Sequence, residues 1–174
     1  VDVIYIGEFE FLLQREVNSI YMDGAIYVTN QQDGPQDLKD DLVHEISHAV
    51  EDTYKQFIYG DGLIESEYFG KLKRLKSFLS HEGYNTANIN FFNTEFNKEF
   101  DEFLHKEVGY GPLRVLTDGL FLAPYSATSM QEYWARGFEE YYLGKRVYLK
   151  TLCPYIYSKL LSLDKSEEKI NYEY

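Results

Sequence analysis

Cysteine is nearly absent from this 174-residue chain: Cys153 stands alone, so no intrachain disulfide can form and no cysteine cluster can hold a metal. A small buried side chain beside Pro154 is the role expected for it. Long apolar runs are missing as well, and no stretch approaches the length of a membrane span. The opening residues carry no signal-peptide pattern, and the chain starts at Val1 and not at Met, as expected of a processed chain or a piece of a longer protein. The compartment therefore stays open, with a secreted or phage-borne protein compatible with so little cysteine. Basic residues are in short supply. Lys and Arg number 17 against 29 Asp and Glu, giving a formal net charge of −12 and a pI near 4.7. That balance argues against a nucleic-acid backbone or an anionic membrane as the main partner, and it would tolerate or favour a basic substrate. No repeat, low-complexity linker or heptad is visible, so the oligomeric state is not legible.

What the chain does contain is aromatic carbon, with 17 Tyr and 12 Phe. Such side chains fill cores first and line peptide-binding clefts second. The length is that of a single domain, here 1–174, large enough to bury a real core.

Histidine is scarce too, at four residues, yet two of them stand in His44-Glu45-Ile46-Ser47-His48. Residues four apart on an α-helix are turned by only about 40°, so both imidazoles leave one face and can grip one metal ion. Glu45 comes off beside them, where it can take a proton from an attacking water as the general base of metal-assisted peptide hydrolysis. Histidines at this spacing also occur as plain solvated side chains. The surrounding pattern favours a helix from Gln36 to Phe57, with Leu38, Leu42, Ile46, Ala49, Val50 and Phe57 forming an apolar stripe and the histidines on the other side. Pro35 and the early Asp37, Asp40 and Asp41 suit a helix start.

A catalytic zinc needs a third protein ligand. Glu67, nineteen residues after His48, has the spacing seen in thermolysin-like and aminopeptidase branches of zinc peptidases, without their usual flanking residues. Glu132 is the other candidate. It shares a helix side with Ala135, Phe138 and Tyr142, small Ala135 would permit close helix approach, and Tyr125 stands seven residues earlier at the end of a Pro-containing loop.

The run Tyr125 to Tyr141 resembles the catalytic domain of anthrax lethal factor and the related clostridial Pro-Pro endopeptidases. There a Tyr precedes the ligand Glu by seven residues, and the helix reads Glu-aromatic-aromatic-Ala-x-x-Phe, as in Glu132-Tyr133-Trp134-Ala135-Arg136-Gly137-Phe138. The resemblance implies one Zn2+ per chain held by His44, His48 and Glu132, with Glu45 as general base and Tyr125 donating a hydrogen bond to the oxyanion. Relatives carry a second Glu where this chain has Arg136, so Glu139 is expected to orient a ligand histidine. The interval from His48 to Glu132 exceeds the usual one, which implies a helical insertion over about 60–110 and keeps Glu67 as the alternative ligand.

The expected fold is α+β and zincin-like, with a small N-terminal β-sheet packed on an active-site helix and a mostly helical C-terminal part. Val1 to Ile6 reads as a strand, and Ser19 to Met22, Asp23-Gly24 and Ala25 to Thr29 read as a hairpin. Ala25 to Asn30 is the candidate edge strand for pairing with an extended substrate. Lys71, Lys73, Arg74 and Lys76 are expected on a solvated helix face, His81 and His105 at the surface, Asn85 to Asn97 as a loop or lid, Leu116 to Tyr125 as a loop or short strand, one helix over about Leu149 to Leu163, and a frayed tail from Asp164. The expected function is a zinc-dependent endopeptidase acting on a polypeptide. The alternatives are a silent zincin-like binding domain, or an aminopeptidase using Glu67.

Overall fold

The computed structural model describes residues 1–171, with side chains through 166. Two compact units divide the chain, Val1–Gln56 and Phe57–Tyr174. The described residues are α+β, with one three-stranded sheet and otherwise mostly helix.

In the first unit β1 (Val3–Gly7), β2 (Ser19–Met22) and β3 (Ala25–Thr29) join in the order β1-β3-β2, and α1 (Glu10–Arg15) comes after β1. The hairpin between β2 and β3 closes through Asp23 (φ 49°) and Gly24 (φ 82°), the paired left-handed conformations of a two-residue type I′ turn. A Cβ on Gly24 would also meet Asp2 Oδ2 at 2.8 Å. Leu12, Ala25, Ile26, Val28 and Ala49 are buried in this unit.

The edge-strand expectation for Ala25 to Asn30 is corrected by this order. β3 is the middle strand, parallel to β1 and antiparallel to β2, so both of its edges are already bonded. The parallel partner lies more than twenty positions away, and local alternation carries no sign of such a distant pairing. The outer edges belong to β1 and β2.

α2 (Pro35–Tyr59) starts on Pro35, whose missing N–H costs nothing in a first turn, and it departs from helical geometry at Tyr54 (φ −113°). The expected stripe is only partly a core face. Ala49 is buried, Phe57 is exposed, and the other buried positions include Glu45, Ser47 and Glu51. Buried polar groups of this kind are tolerated when they are hydrogen-bonded, as Glu45 is to β2 and Ser47 is to His44 O.

The second unit is built around α3 (Leu63–His81), whose buried face comprises Ile64, Tyr68, Lys71, Leu72, Leu75 and Leu79. α6 (Met130–Tyr142) and α8 (Pro154–Asn171) pack on it. Gly137 permits the close approach of α6 and α8, since a Cβ there would lie 2.5 Å from Ile156 Cγ2. Between these elements run α4 (Lys98–Glu102), a π-helical turn (Phe103–Val108), α5 (Tyr110–Thr117), a 3₁₀ turn (Pro124–Ala127) and α7 (Arg146–Leu152).

Several local expectations change here. The single helix over Leu149 to Leu163 is two helices, because Pro154 forces the preceding Cys153 out of helical geometry (φ −130°, ψ 65°). Asp164, expected to begin a frayed tail, lies within α8 and accepts the hydroxyls of Tyr141 and Tyr142 at 2.6 and 2.7 Å, whereas the end of that tail, 172–174, lies outside the described residues. Leu116 and Thr117 end a helix and do not start a strand. His105 is half-buried, with Nδ1 3.1 Å from Asp101 and its ring against Tyr110, whereas His81 is at the surface as expected. Asn85 to Asn97 is a loop in which Asn85, Asn90, Asn93 and Asn97 each accept a nearby backbone N–H. Buried Phe91 and the bond from Met130 N to Thr94 O fasten it in place.

Lys71 is the largest departure from the expected basic surface. Its ammonium is buried, donates to Leu120 O at 2.7 Å and Leu152 O at 2.8 Å, and lies over the rings of Phe121 and Tyr133. Burial holds its pKa below the usual lysine value. Lys71→Met keeps the apolar stem and leaves two carbonyls without this donor. We expect a loss of about 2–4 kcal/mol in urea unfolding, and a loss below about 1 kcal/mol would mean that other donors satisfy both carbonyls.

Candidate metal centre

α2 presents the two histidines of the motif with their Nε2 atoms 3.1 Å apart and their rings nearly perpendicular, at 83°. Ser47 back-bonds from Oγ to His44 O at 2.5 Å, one residue before the second histidine. Two nitrogens bound to one zinc at about 2.0–2.1 Å in tetrahedral geometry stand roughly 3.3 Å apart, so the observed spacing suits a shared ion. Such sharing requires both Nε2 atoms to be deprotonated and any protons to sit on Nδ1.

A donor atom each from His44, His48 and Glu132 lies within 4.8 Å of the others, and no other group of three His, Cys, Asp or Glu suited to a metal occurs among the described residues. Two imidazole nitrogens and one carboxylate oxygen form a donor set that fits zinc and leaves a coordination position open. Glu132 occupies the third position of α6, where Ser129 caps the helix by accepting from Glu132 N at 3.1 Å. The cap engages the backbone of Glu132 and not its carboxylate.

Glu67, the alternative ligand, belongs to no such group. Its carboxylate accepts from Tyr133 Oη at 2.6 Å and from Tyr155 N at 3.3 Å. Burial pushes the Glu67 carboxyl above its usual range, while these two donors pull the other way. Nearby Cys153 is buried as expected, and burial pushes its thiol up to about 11, so it stays protonated at neutral pH.

Tyr125 sits in the 3₁₀ turn Pro124–Ala127 and is 39% exposed. Its carbonyl accepts twice from Thr128, from N at 3.0 Å and Oγ1 at 2.8 Å, so the turn that carries the side chain is pinned. Leu122, Ala123 and Pro124, just before it, help line a cavity of about 610 Å³ together with Tyr110, Arg114 and Tyr148.

Glu45 is buried, and both of its oxygens are engaged. Ser19 Oγ donates to one at 2.7 Å, and Tyr21 N donates to the other at 2.6 Å. Glu139, expected to orient a histidine, is paired with Arg136, the residue that stands where the resembling family has a second Glu. Within α2, the Glu51 carboxylate places Oε2 3.6 Å from His48 Nδ1. That is too long for a direct hydrogen bond, yet a slight ring rotation would let Nδ1–H donate to it. Sequence reasoning missed Glu51, although its i+3 spacing from His48 is visible in the chain. Ser19 leaves no such signal, since it meets Glu45 across 26 positions.

No protein-family model, curated protein or solved structure matches this chain.

Proposed function

We propose that the protein is a zinc-dependent endopeptidase with a zincin-like arrangement, in which His44, His48 and Glu132 hold the ion. The grouping of these three donors within 4.8 Å carries the reading, and the family resemblance of the Tyr125 to Tyr141 run supports it. A bound zinc supplies Lewis-acid polarisation of the attacking water and of the scissile carbonyl. Glu45 removes the proton of the water and passes it to the leaving amine. Tyr125 donates its phenolic hydrogen to the oxygen on which negative charge develops. Glu51, by accepting a hydrogen bond from Nδ1–H of His48, would keep the proton on Nδ1 and leave Nε2 as the ligand atom. The cavity beside Pro124, lined by both aromatic and charged groups, takes substrate side chains.

The reading is tested with an internally quenched peptide library blocked at both ends. Cleavage that chelator removes and zinc restores is the expected result. Cleavage confined to peptides with free N-termini would move the protein to an aminopeptidase class, and a folded, metal-free, inactive protein would leave a binding domain.

Tyr125→Phe removes only the donor and should lower kcat on the order of a hundredfold, with zinc content unchanged. Substantial zinc loss in that variant would make Tyr125 a structural or ligating residue.

A further inference from the structure

In an antiparallel pair, residues alternate between exchanging hydrogen bonds with the partner strand and directing their N–H and C=O groups away from it. Thr29 N donates to Asn18 O at 2.8 Å, which makes Asn18 an inward-bonded position of β2's lead-in. Ile20 then bonds toward β3, and Ser19 and Tyr21 direct their backbone groups to the outer edge of the sheet. That edge already has an occupant from its own unit. The Glu45 carboxylate accepts the outward Tyr21 N–H at 2.6 Å and the Ser19 hydroxyl at 2.7 Å. Both oxygens of the proposed base are thus held by the strand, and the side chain is only 5% exposed.

We propose that β2 is a latch for Glu45: an extended polypeptide laid along β2 takes the Tyr21 N–H with its own carbonyl oxygen and so frees the Glu45 carboxylate for proton transfer. The proposal deepens the peptidase reading and rests on it. Ser19 and the Tyr21 backbone are positioning groups that act through Glu45. A hydrogen bond to a carboxylate is stronger than one to a neutral amide carbonyl, so one carbonyl alone does not displace Glu45. An extended segment also engages the outward C=O groups of Ser19 and Tyr21, and those added bonds tip the exchange. The latch therefore opens for unfolded, extended chains and stays shut for free amino acids, small amides and helical peptides. The Glu45 carboxylate is bonded to β2 and not to β1, the other edge strand, which selects β2 as the substrate edge.

The test uses the metal-free full chain, labelled with ¹⁵N, and a mixture of end-blocked hexapeptides randomised at every position. Without peptide, the Tyr21 amide should exchange with solvent about tenfold faster in Glu45→Ala than in wild type, because a charge-assisted bond is lost. The Ile20 and Tyr27 amides should be unchanged, which reports an intact sheet. Added peptide should shift and protect the Tyr21 amide, and Glu45→Ala should bind the mixture about tenfold more tightly than wild type. Ser19→Ala should raise affinity by a smaller factor, and Ser19→Thr, which keeps the hydroxyl, should return it to the wild-type value. Equal affinity of wild type and Glu45→Ala, a Tyr21 amide indifferent to peptide, or no binding by any form would each overturn the latch. The two readings fail separately. The expected Tyr21 response with no zinc-dependent cleavage would sink the peptidase reading, whereas cleavage with an indifferent Tyr21 amide would sink the latch alone.

Discussion

Glu132→Ala should lose zinc while keeping its fold. Wild type is expected to hold about one ion per chain. A structural zinc bound by four ligands in a small domain is worth some 10–16 kcal/mol, so one ligand accounts for roughly a hundredfold to a thousandfold in affinity. The helix that carries Glu132 should survive the change. Ser129 caps α6 through the backbone N–H of residue 132, a group that alanine also has. The rest of α6 is anchored by buried Tyr133, Trp134, Ala135 and Phe138. Glu67→Ala is the control with the opposite signature. Zinc should stay, while stability should fall by about 1–3 kcal/mol, because the buried Tyr133 hydroxyl loses its acceptor. Metal analysis after dialysis, with circular dichroism and urea unfolding on the same samples, separates the two. Zinc retained in Glu132→Ala and lost in Glu67→Ala would transfer the ligand role to Glu67 and end the lethal factor-like reading.

Glu45→Gln should hold zinc as wild type does and lose about 10²–10⁴-fold in kcat, the usual contribution of a general base. Glutamine has nearly the same shape, and its side-chain carbonyl can still accept from Ser19 or from Tyr21 N, so the packing between α2 and β2 is retained. What disappears is the capacity to take a proton. Metal content, unfolding midpoint and single-turnover cleavage of a blocked peptide together isolate that capacity. Full activity in a preparation free of wild-type protein would remove Glu45 from the mechanism. Lost zinc would mean that Glu45 organises the site and does not act as its base.

Glu45 thus carries two separable properties. In the proposed mechanism its basicity would decide what the carboxylate does once released, and its bonds to β2 would decide when it is released. On the proposed reading, a base held by two hydrogen bonds on a strand edge would limit idle chemistry at the metal, since no base would be at hand until a chain is bound. The proposed latch would also link substrate shape to catalysis without requiring a moving lid. The Asn85 to Asn97 loop is fastened by its own Asn turns and by the Met130–Thr94 bond, so the strand edge is the better candidate for substrate sensing.

Structure is legible in the sequence wherever the deciding interactions are local. The hairpin is readable to the residue because Asp23-Gly24 accepts the left-handed conformations that a two-residue turn requires. α2 is readable within two residues of each end, since Pro35 and the early carboxylates favour a helix start. The α+β character and the mostly helical second half come from the same periodicities. The helix break at Cys153 is equally local, written in Pro154, but the longer apolar pattern across it masks the break.

The remainder depends on partners far apart in the chain. Lys71 reads as one of four exposed basic residues until Leu120 O and Leu152 O, 49 and 81 positions away, are seen to receive its protons. Glu67 and Glu132 are equivalent as letters, and Tyr133 and Tyr155 distinguish them by engaging the first. β3 reads as an edge strand until β1 pairs with it in parallel, and the bonds to Glu45 need Ser19 and Tyr21 brought to α2. By itself the sequence determined the fold's local elements and named the candidate ligands and base, because side-chain type and helical spacing are local properties. Only the tertiary structure decided which carboxylate the two tyrosines engage, which strand lies in the middle of the sheet and which charge is buried, because each of these depends on contacts between segments with no local trace of one another.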